Sequence, residues 1–214
     1  MKESNKIDYS IVIPVYNEQD NVPILHKELI NVMNSISKSY EIIFVNDGSR
    51  DNSLRVLKEI AKRDKNVKFI SLSRNFGHQA ALTAGLDYAK GKAIISIDAD
   101  LQDPPQLIPE MIKKWKSGFE VVYGRRKNYR YDNLIKRWGS MIYYKLLDNF
   151  SDVKIPRNVG DFRLIDRKAL DSLKGMREKS RYLRGMVAWL GFKYTFIDYD
   201  RKDRANGKSG YTLR

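Results

Sequence analysis

The sequence predicts a single α/β domain with a mostly parallel central sheet and helices on both faces. Four apolar runs have the length and composition of buried strands: 10–15, 41–45, 67–72 and 93–97. Between them, apolar residues recur at helical spacing over 25–36, 54–61 and 80–89. A chain of 214 residues with 42% hydrophobic residues is long enough for one sizeable core. Alternation of strand and helix is typical of βαβ units.

The second half of the chain is less regular. Its apolar segments predict strands over 119–123, 161–165 and 193–199, and helices over 134–150 and 182–190. The helix predicted over 134–150 surrounds an apolar side with basic and aromatic residues, among them Arg137 and Tyr143. Such a helix either lies on an anionic membrane or packs its apolar side on the core, and the sequence supports both interpretations.

The charge of the chain indicates an anionic partner. It has 40 Lys and Arg against 26 Asp and Glu, a formal net charge of +14. Nucleic acid, an anionic bilayer and a phosphorylated substrate all fit this excess. The absence of cysteine excludes disulfides and thiolate metal sites. No run of about 18 apolar residues occurs, and residues 1–9 lack the apolar stretch of a signal peptide.

Polar clusters follow each of the first four predicted strands. They are Tyr16-Asn17-Glu18, Asn46-Asp47-Gly48-Ser49, the segment 73–77, and Asp98-Ala99-Asp100. In parallel sheets, ligands bind beyond the carboxyl ends of the strands. We therefore expect these clusters to meet along one edge of the sheet.

Asp98 and Asp100 are the candidate metal ligands. They alternate at the end of an apolar strand, and Gln102 and Asp103 add oxygen donors directly afterwards. Oxygen donors of this kind suit Mg²⁺ or Mn²⁺. The alternative is structural: Asp98 ends the strand, and Asp100 caps a turn before two prolines.

Asp47 and Tyr16 are candidates for contact with a nucleoside. Gly48 permits a tight turn that leaves the Asp47 carboxylate free to accept a hydrogen bond from a base or ribose, and Tyr16 can lay its ring against a base. An Asx turn, or a cap for the helix predicted to begin near Asp51, explains Asp47 equally well. Neither His26 nor His78 has a second histidine at ligand spacing, so we expect neither to take part.

Four motifs together resemble the family 2 glycosyltransferases, which have the GT-A fold. In chain order they are Ile-Pro-Val-Tyr-Asn-Glu, Val-Asn-Asp-Gly-Ser-x-Asp, Leu-Ser-Arg-Asn-Phe-Gly-His-Gln-Ala-Ala-Leu and Asp-Ala-Asp-Leu-Gln-Asp-Pro-Pro. Within that family the chain is most similar to the polyprenyl-phosphate glycosyltransferases, which include dolichyl-phosphate mannose synthases and bactoprenol glucosyltransferases. The Asp-Leu-Gln-Asp-Pro-Pro segment is far more specific than the Asp-x-Asp within it.

The resemblance implies an inverting, metal-dependent transferase with Mg²⁺ or Mn²⁺ as cofactor. It would move a hexose from a nucleotide diphosphate sugar, a UDP-sugar rather than a GDP-sugar, to a polyprenyl phosphate at the cytoplasmic face of the membrane. Residues 1–214 would form one GT-A catalytic domain that meets an anionic membrane surface peripherally, and we expect the natural protein to continue past Arg214 into membrane-spanning helices. The sequence does not decide whether the protein forms homo-oligomers.

The resemblance also assigns roles to residues. Those for the nucleotide are Pro14, Tyr16, Glu18, Asp47 and Asp98; those for the metal and diphosphate are Asp98, Asp100 and Gln102; those for acceptor or phosphate are Arg126, Arg137, Arg204 and Ser209. Asp161 and Asp100 are the catalytic candidates, with Asp161 in the place of a base. The resembling enzymes carry Ser-Lys-Tyr-Pro near the end, whereas this chain has Ser209-Gly210-Tyr211-Thr212, so a phosphate-contacting lysine is missing or Lys208 replaces it.

The role of Asp161 depends on the acceptor. A phosphate monoester has a second pKa of about 6 and is mostly ionised at neutral pH, so Asp161 would position it rather than deprotonate it. A saccharide hydroxyl would need a base. That rival acceptor is disfavoured because the Gln-x-x-Arg-Trp signature of processive synthases is absent. A nucleic-acid-binding module is a more distant alternative, since the acidic cluster would repel phosphates without a metal.

Overall fold

The computed structural model describes residues 7–37, 39–127, 156–176, 178 and 181–201, and all structural statements below concern these residues. They contain one seven-stranded sheet. Its strands are β1 Tyr9–Val15, β2 Tyr40–Asn46, β3 Val67–Ser71, β4 Ala93–Ser96, β5 Val121–Arg126, β6 Val159–Asp166 and β7 Tyr194–Tyr199. The helix predicted over 134–150, together with Arg137, Arg204 and Ser209, lies outside the described residues.

The strand order is β3-β2-β1-β4-β6-β5-β7. Strands β1 to β4 pair in parallel, as does β5 with β7, which confirms the prediction of a mostly parallel sheet. Strand β6 is antiparallel to β4 and β5, so the sheet is mixed. Because Arg163 pairs with Ser96 in this antiparallel register, Asp161 at the beginning of β6 lies beyond the carboxyl end of β4. We call the edge formed by the carboxyl ends of β1 to β4 the rim.

Six α-helices cover the sheet within the described residues. They are α1 Asn21–Asn34, α2 Ser53–Arg63, α3 His78–Tyr88, α4 Ile108–Lys116, α5 Arg167–Gly175 and α6 Leu183–Trp189. Apolar residues of α1, α2 and α4 pack on one face, and those of α3, α5 and α6 pack on the other. Helices on both faces were predicted, but α4 and α5 were not. Their buried residues do recur at helical spacing, Ile108, Met111 and Ile112 in α4 and Ala169, Leu170 and Leu173 in α5, so the pattern that predicts both helices is present in the sequence.

Strand β1 lies at the centre of the core, and all seven of its residues are buried. Ile11 and Ile13 contribute to one face, whereas Val12 packs on the other side with α3. Gly85 allows α3 to approach closely, because an added Cβ would lie 2.3 Å from Val12 Cγ1. Burial on both faces explains why β1 reads as a continuous apolar run.

Strand β5 begins and ends later than predicted, at Val121–Arg126 rather than 119–123. An apolar run cannot reveal that Arg125 and Arg126 continue the strand, and the pairing with β6 is irregular between Tyr123 and Arg125. No helix in the described part of the chain is long and apolar enough to cross a membrane.

Candidate active site

The loops after β1 and β2 are joined by hydrogen bonds at the rim. The backbone N–H of Asn17 donates to Ser49 Oγ at 3.0 Å, and Asn17 Oδ1 accepts the N–H of Arg50 at 2.8 Å. The N–H of Glu18 donates to Ser53 Oγ at 2.9 Å. The first two polar clusters therefore converge, as the parallel strands predict.

Asp47 joins the loop after β2 to the loop after β3. Its carboxylate accepts the backbone N–H of Phe76 at 2.7 Å and that of Gly77 at 2.9 Å, and the residue is only 2% exposed. Asp51, not Asp47, bonds the N–H of Ser53 at the start of α2, at 2.9 Å. Asp47 thus shapes the third polar segment, and neither a cap nor a simple Asx turn accounts for it. Its contact with a nucleoside stays a prediction.

Gly48 makes the tight turn that the sequence predicts. Its φ is +63°, and an added Cβ would lie 2.3 Å from the backbone carbonyl carbon of Arg74. Only glycine fits both the left-handed conformation and this close approach. The turn brings the loops after β2 and β3 into contact.

The other nucleoside candidates lie at the end of β1. Pro14 is buried in the strand beyond Val12, the last β1 residue that pairs with β4, so its missing N–H removes no bond from that ladder. Tyr16 is half-buried at the rim. Glu18 is buried and accepts a hydrogen bond from Asn21 Nδ2 at 2.5 Å.

The fourth polar cluster places Asp98 and Asp100 at the rim. The Asp98 side chain is 23% exposed, yet its Oδ1 is buried without a hydrogen-bond partner in the described structure. Burial, together with neighbouring Asp103, Asp161 and Asp100, raises the pKa of Asp98 to about 6 although His78 opposes the shift. Asp100 Oδ1 accepts the N–H of Gln102 at 3.2 Å, so the predicted turn exists as well.

The turn from Asp100 to Gln102 is strained. Leu101 has a φ of +61°, a left-handed conformation that bulky residues rarely adopt. Such strain costs of order 1–3 kcal/mol and is concentrated at functional sites.

Two arginines neighbour the acidic cluster. Arg201 Nη2 lies 3.6 Å from Asp100 Oδ2, and Arg126 Nη2 lies 3.8 Å from Asp103 Oδ1. The Tyr199 hydroxyl donates a hydrogen bond to Asp103 and is itself 3.4 Å from Arg126 Nε. The predicted phosphate ligand Arg126 is therefore at the site, and Arg201, which the sequence analysis did not select, is there too.

The acidic residues fit a divalent ion that is shared with a substrate. The described residues contain no group of three or more His, Cys, Asp or Glu that could hold a metal by themselves. Mg²⁺ and Mn²⁺ commonly take one or two protein carboxylates and complete their coordination with water and substrate phosphate. Asp98, with an unsatisfied buried oxygen, and nearby Asp100 match this requirement.

Asp161 is the most heavily contacted carboxylate of the site. It is 2% exposed, and it is surrounded by donors from three elements: His78 Nε2 at 3.1 Å, Gln79 Nε2 at 3.3 Å, Arg163 Nη2 at 3.0 Å and Arg184 Nη2 at 3.0 Å. Burial disfavours the charged form, but the hydrogen bonds and positive charges prevail and hold the pKa of Asp161 well below its usual range. Asp161 is thus a stably ionised carboxylate at neutral pH.

His78 lies within the candidate site, although the sequence predicted no role for it; whether it takes part in the reaction stays untested. Its Nε2 lies 3.1 Å from Asp161 Oδ2 and 3.6 Å from Asp98 Oδ1, between the two carboxylates. Burial opposes protonation, but Asp161 and Asp98 raise the pKa of His78 above its ordinary value. The spacing of histidines along the chain bears only on metal binding, and it does not predict a histidine that folding places between two carboxylates.

Sequence reasoning also missed Arg163, Gln79 and Arg184. Arg163 follows Asp161 by two residues in a strand, so a shared face was foreseeable. Gln79 and Arg184 reach Asp161 across 82 and 23 positions of the chain, and no local pattern marks them.

Solved structures share the fold of this domain. Similar ones include the mannosyltransferase PcManGT from Pyrobaculum calidifontis in complex with GDP-Man and Mn²⁺, with a TM-score of 0.66 and 16% identity over 95% of this chain and 58% of that chain. Another is glucosyl-3-phosphoglycerate synthase from Mycobacterium tuberculosis in complex with Mn²⁺, UDP and glucosyl-3-phosphoglycerate, with a TM-score of 0.62 and 16% identity over 94% of this chain and 73% of that chain. These likenesses show the GT-A fold.

The family follows from the sequence comparison. The profile of "Glycosyl transferase family 2" matches residues 10–174, and the chain belongs to this family. The uncharacterized glycosyltransferase YkcC of Bacillus subtilis is 49% identical over 99% of this chain, and the prophage bactoprenol glucosyl transferase homolog of Escherichia coli K12 is 40% identical over 94%. The chain spans 65% and 66% of the length of these two relatives.

Proposed function

We propose that this chain transfers a hexose from a nucleotide diphosphate sugar to a polyprenyl phosphate, with inversion at the anomeric carbon. A UDP-sugar is the preferred donor, and the reaction takes place at the cytoplasmic face of a membrane. Bactoprenol glucosyl transferases of Shigella phages, 38% identical over 94% of this chain, support a polyprenyl phosphate acceptor.

The ion pairs of Asp161 favour a phosphate acceptor over a saccharide hydroxyl. Its two oxygens face His78 and two arginines, and these hold its pKa far below neutrality. A general base works best when its pKa lies near the operating pH, so Asp161 is poorly suited to remove a proton from a saccharide hydroxyl. A phosphate monoester, with a second pKa of about 6, already presents an ionised oxygen and needs no base.

The donor would be held at the first, second and fourth rim clusters. Pro14, Tyr16, Glu18 and Asp47 would contact the nucleoside, whereas Asp98, Asp100 and Gln102 would hold Mg²⁺ or Mn²⁺ with the diphosphate. The ion supplies Lewis acidity that stabilises the diphosphate leaving group. Arg126 and Arg201 lie where they can neutralise further phosphate charge.

The chain's residues would then orient a direct displacement. An oxygen of the acceptor phosphate forms a bond to the anomeric carbon, and the bond from that carbon to the diphosphate breaks. Asp161 would keep His78 and Arg184 oriented between donor and acceptor. Its oxygens are engaged by cations and amides, so it is a positioning residue here.

The experiment supplies the chain with labelled UDP-glucose, UDP-N-acetylglucosamine or GDP-mannose, a short polyprenyl phosphate in vesicles, and Mn²⁺ or Mg²⁺. Label should enter the lipid phase with one donor and with the phosphate, but not with the matching polyprenol. Asp161→Asn should lower turnover, and the exposed control Glu59→Gln should not. Labelling of a saccharide with no labelling of the lipid phosphate would replace this proposal with the saccharide acceptor.

A further inference from the structure

Arg184 lies at the start of α6 and reaches the centre of the site. Its Nε is 3.3 Å from Asp161 Oδ1, and its Nη2 is 3.0 Å from Asp161 Oδ2. The side chain is nevertheless 37% exposed, in contrast with Arg163, which meets the same carboxylate from inside the core at 1% exposure. Arg184 therefore joins the buried carboxylate to the open surface.

From these observations, and on the basis of the proposed function, we propose that Arg184 binds the phosphate of the acceptor. Contacts among the described residues use two of the five N–H donors of its guanidinium, so donors remain for an anion. The planar fork of arginine matches phosphate oxygens well. Asp161 would hold this fork in place.

The charges around Arg184 favour an anion. Asp161 forms ion pairs with both Arg163 and Arg184. A cation bound to Asp98 and Asp100 would compensate the charges of those two carboxylates. Asp161 carries one negative charge and is paired with both guanidinium groups, so the positive charge of Arg184 is not fully compensated by its only carboxylate partner within 4 Å among the described residues. A phosphate beside Arg184 would add the negative charge that this pair lacks.

The position of Arg184 suits transfer from the donor. Arg184 contacts Asp161 at 3.0 Å, Asp161 contacts His78 at 3.1 Å, and His78 lies 3.6 Å from Asp98. Three consecutive side-chain contacts therefore separate the proposed phosphate ligand from Asp98, the candidate metal ligand. A phosphate on Arg184 would lie at the same rim as a donor bound at Asp98.

Exposed aromatic rings near Arg184 favour a lipid phosphate over free phosphate. Tyr182 directly precedes α6, and Phe76 belongs to the loop that enters α3; both rings are exposed. The two segments meet where the N–H of Leu183 donates to Gln79 Oε1 at 3.2 Å. A prenyl chain attached to the phosphate could contact these rings.

The test measures binding without turnover. Farnesyl phosphate is titrated calorimetrically into the full chain and into Arg184→Ala, Arg184→Lys and Arg55→Ala, the last an exposed arginine on α2 paired only with Glu59 among the described residues. Arg184→Ala should weaken binding at least tenfold, Arg184→Lys should weaken it less, and Arg55→Ala should leave it unchanged. Equal affinity of all four proteins, or no binding by the wild type, would overturn the proposal.

Two further ligands distinguish lipid from free phosphate. Farnesol should bind weakly and without regard to Arg184, and inorganic phosphate should bind more weakly than farnesyl phosphate. If inorganic phosphate binds as tightly as farnesyl phosphate, and Arg184→Ala weakens both to the same extent, the site binds free phosphate and the proposed lipid phosphate is wrong.

Binding of the donor nucleotide distinguishes a merely structural role of Arg184 from a role in binding the acceptor. Stabilisation of Arg184→Ala by UDP and Mn²⁺ should match that of the wild type, while the KM for lipid phosphate rises more than kcat falls. Parallel loss of donor stabilisation would mean that Arg184 only holds the fold. If Arg184→Ala does not fold, unchanged farnesyl phosphate affinity in Arg184→Lys would count against the proposal.

These outcomes separate this inference from the proposed function. Arg184-dependent phosphate binding in a protein that glycosylates only saccharides would reject the proposed acceptor alone. Lipid transfer that is indifferent to Arg184→Ala would reject the role of Arg184 alone.

Discussion

Arg163 Nη2 lies 3.0 Å from Asp161 Oδ1 on one face of β6, and both side chains are almost completely buried. Removal of one member of such a pair leaves an uncompensated charge in the core, whereas joint replacement by uncharged groups need not destabilise. Asp161→Asn should therefore lower the free energy of unfolding by about 3–5 kcal/mol. Urea unfolding of Asp161→Asn, Arg163→Met and the double variant checks this, because the double variant should lose clearly less than the sum. Additive losses would mean that the two charges are independent.

The same carboxylate sets a pH dependence of stability. The pKa of Asp161 is lowered by folding, so its contribution is present above the unfolded value of about 3.9 and is lost as pH falls towards the folded value. The stability difference between the wild type and Asp161→Asn should shrink below about pH 4, and it should also decline as the pH rises through the pKa of His78, which Asp161 raises. Denaturant unfolding at several pH values measures both changes. A difference that grew on acidification below about pH 4 would contradict the ionised state of Asp161.

Gly48→Ala tests the contact between the loops after β2 and β3. Gly48 and Gly118 both have positive φ, but an added Cβ at Gly48 would lie 2.3 Å from the Arg74 backbone, whereas one at Gly118 would meet nothing within 4 Å. Left-handed strain alone costs about 1–2 kcal/mol, so Gly118→Ala should lose that amount and Gly48→Ala distinctly more. Thermal unfolding of both variants gives the comparison. Equal losses would show that the loops move apart easily.

Metal should be required for nucleotide binding. Two ionised carboxylates beside a diphosphate repel it unless a cation lies between them. UDP at about 100 times its Kd should stabilise the wild type by about 2.7 kcal/mol with Mn²⁺ or Mg²⁺, and EDTA should remove this effect. Thermal shift of Asp100→Asn should show a near-native melting temperature without the metal-dependent increase, and Glu59→Gln should behave like the wild type. UDP stabilisation that persists in EDTA would remove the metal from the mechanism.

The strand-end motifs were predictable because local patterns determine them. Continuous apolar runs gave β1 to β4, and the parallel pairing of these strands brings Asp47 and Asp98 to one edge. Gly48 was predictable because a turn of that kind requires glycine. In these cases the residues that determine the local structure are neighbours in the sequence.

The surroundings of Asp161 were not predictable in the same way. They depend on β6 being antiparallel to β4 and on two helix starts, at His78 and Leu183, that meet only after folding. The charge of Arg184 alone says nothing about its partner, since most exposed arginines contact solvent. The strong ionisation of Asp161 therefore became evident only from the structure, where it adds to the argument from the pKa of the acceptor phosphate.

Inversion of the anomeric configuration is expected for the product. Retention by double displacement would require a carboxylate with a free oxygen to attack the sugar. Both oxygens of Asp161 are engaged by His78, Gln79 and arginines, and Asp98 and Asp100 would be occupied by the metal. Direct attack by the acceptor phosphate leaves the opposite anomer from that of the donor. NMR of the glycolipid formed from an α-linked donor should show the β-anomer. A retained anomer would mean that a covalent intermediate forms and that the role given to Asp161 is wrong.

The rim should face the membrane. A polyprenyl phosphate keeps its tail in the bilayer, so the site that takes its phosphate must lie near the headgroups. The chain carries a net charge of +14, and each basic residue close to an anionic surface contributes about 1 kcal/mol. The chain should sediment with anionic vesicles at low salt, dissociate at high salt because the Debye length falls below about 8 Å, and ignore neutral vesicles. Arg74, at the rim with its guanidinium 4.1 Å from the exposed Phe76 ring, provides the test of orientation. Arg74→Glu should reduce vesicle binding more than Arg55→Glu, which changes the net charge equally on α2. Equal effects of the two reversals would show that charge attracts the chain to the membrane without orienting the rim, and binding to no vesicle at any salt would leave the lipid acceptor without its physical support.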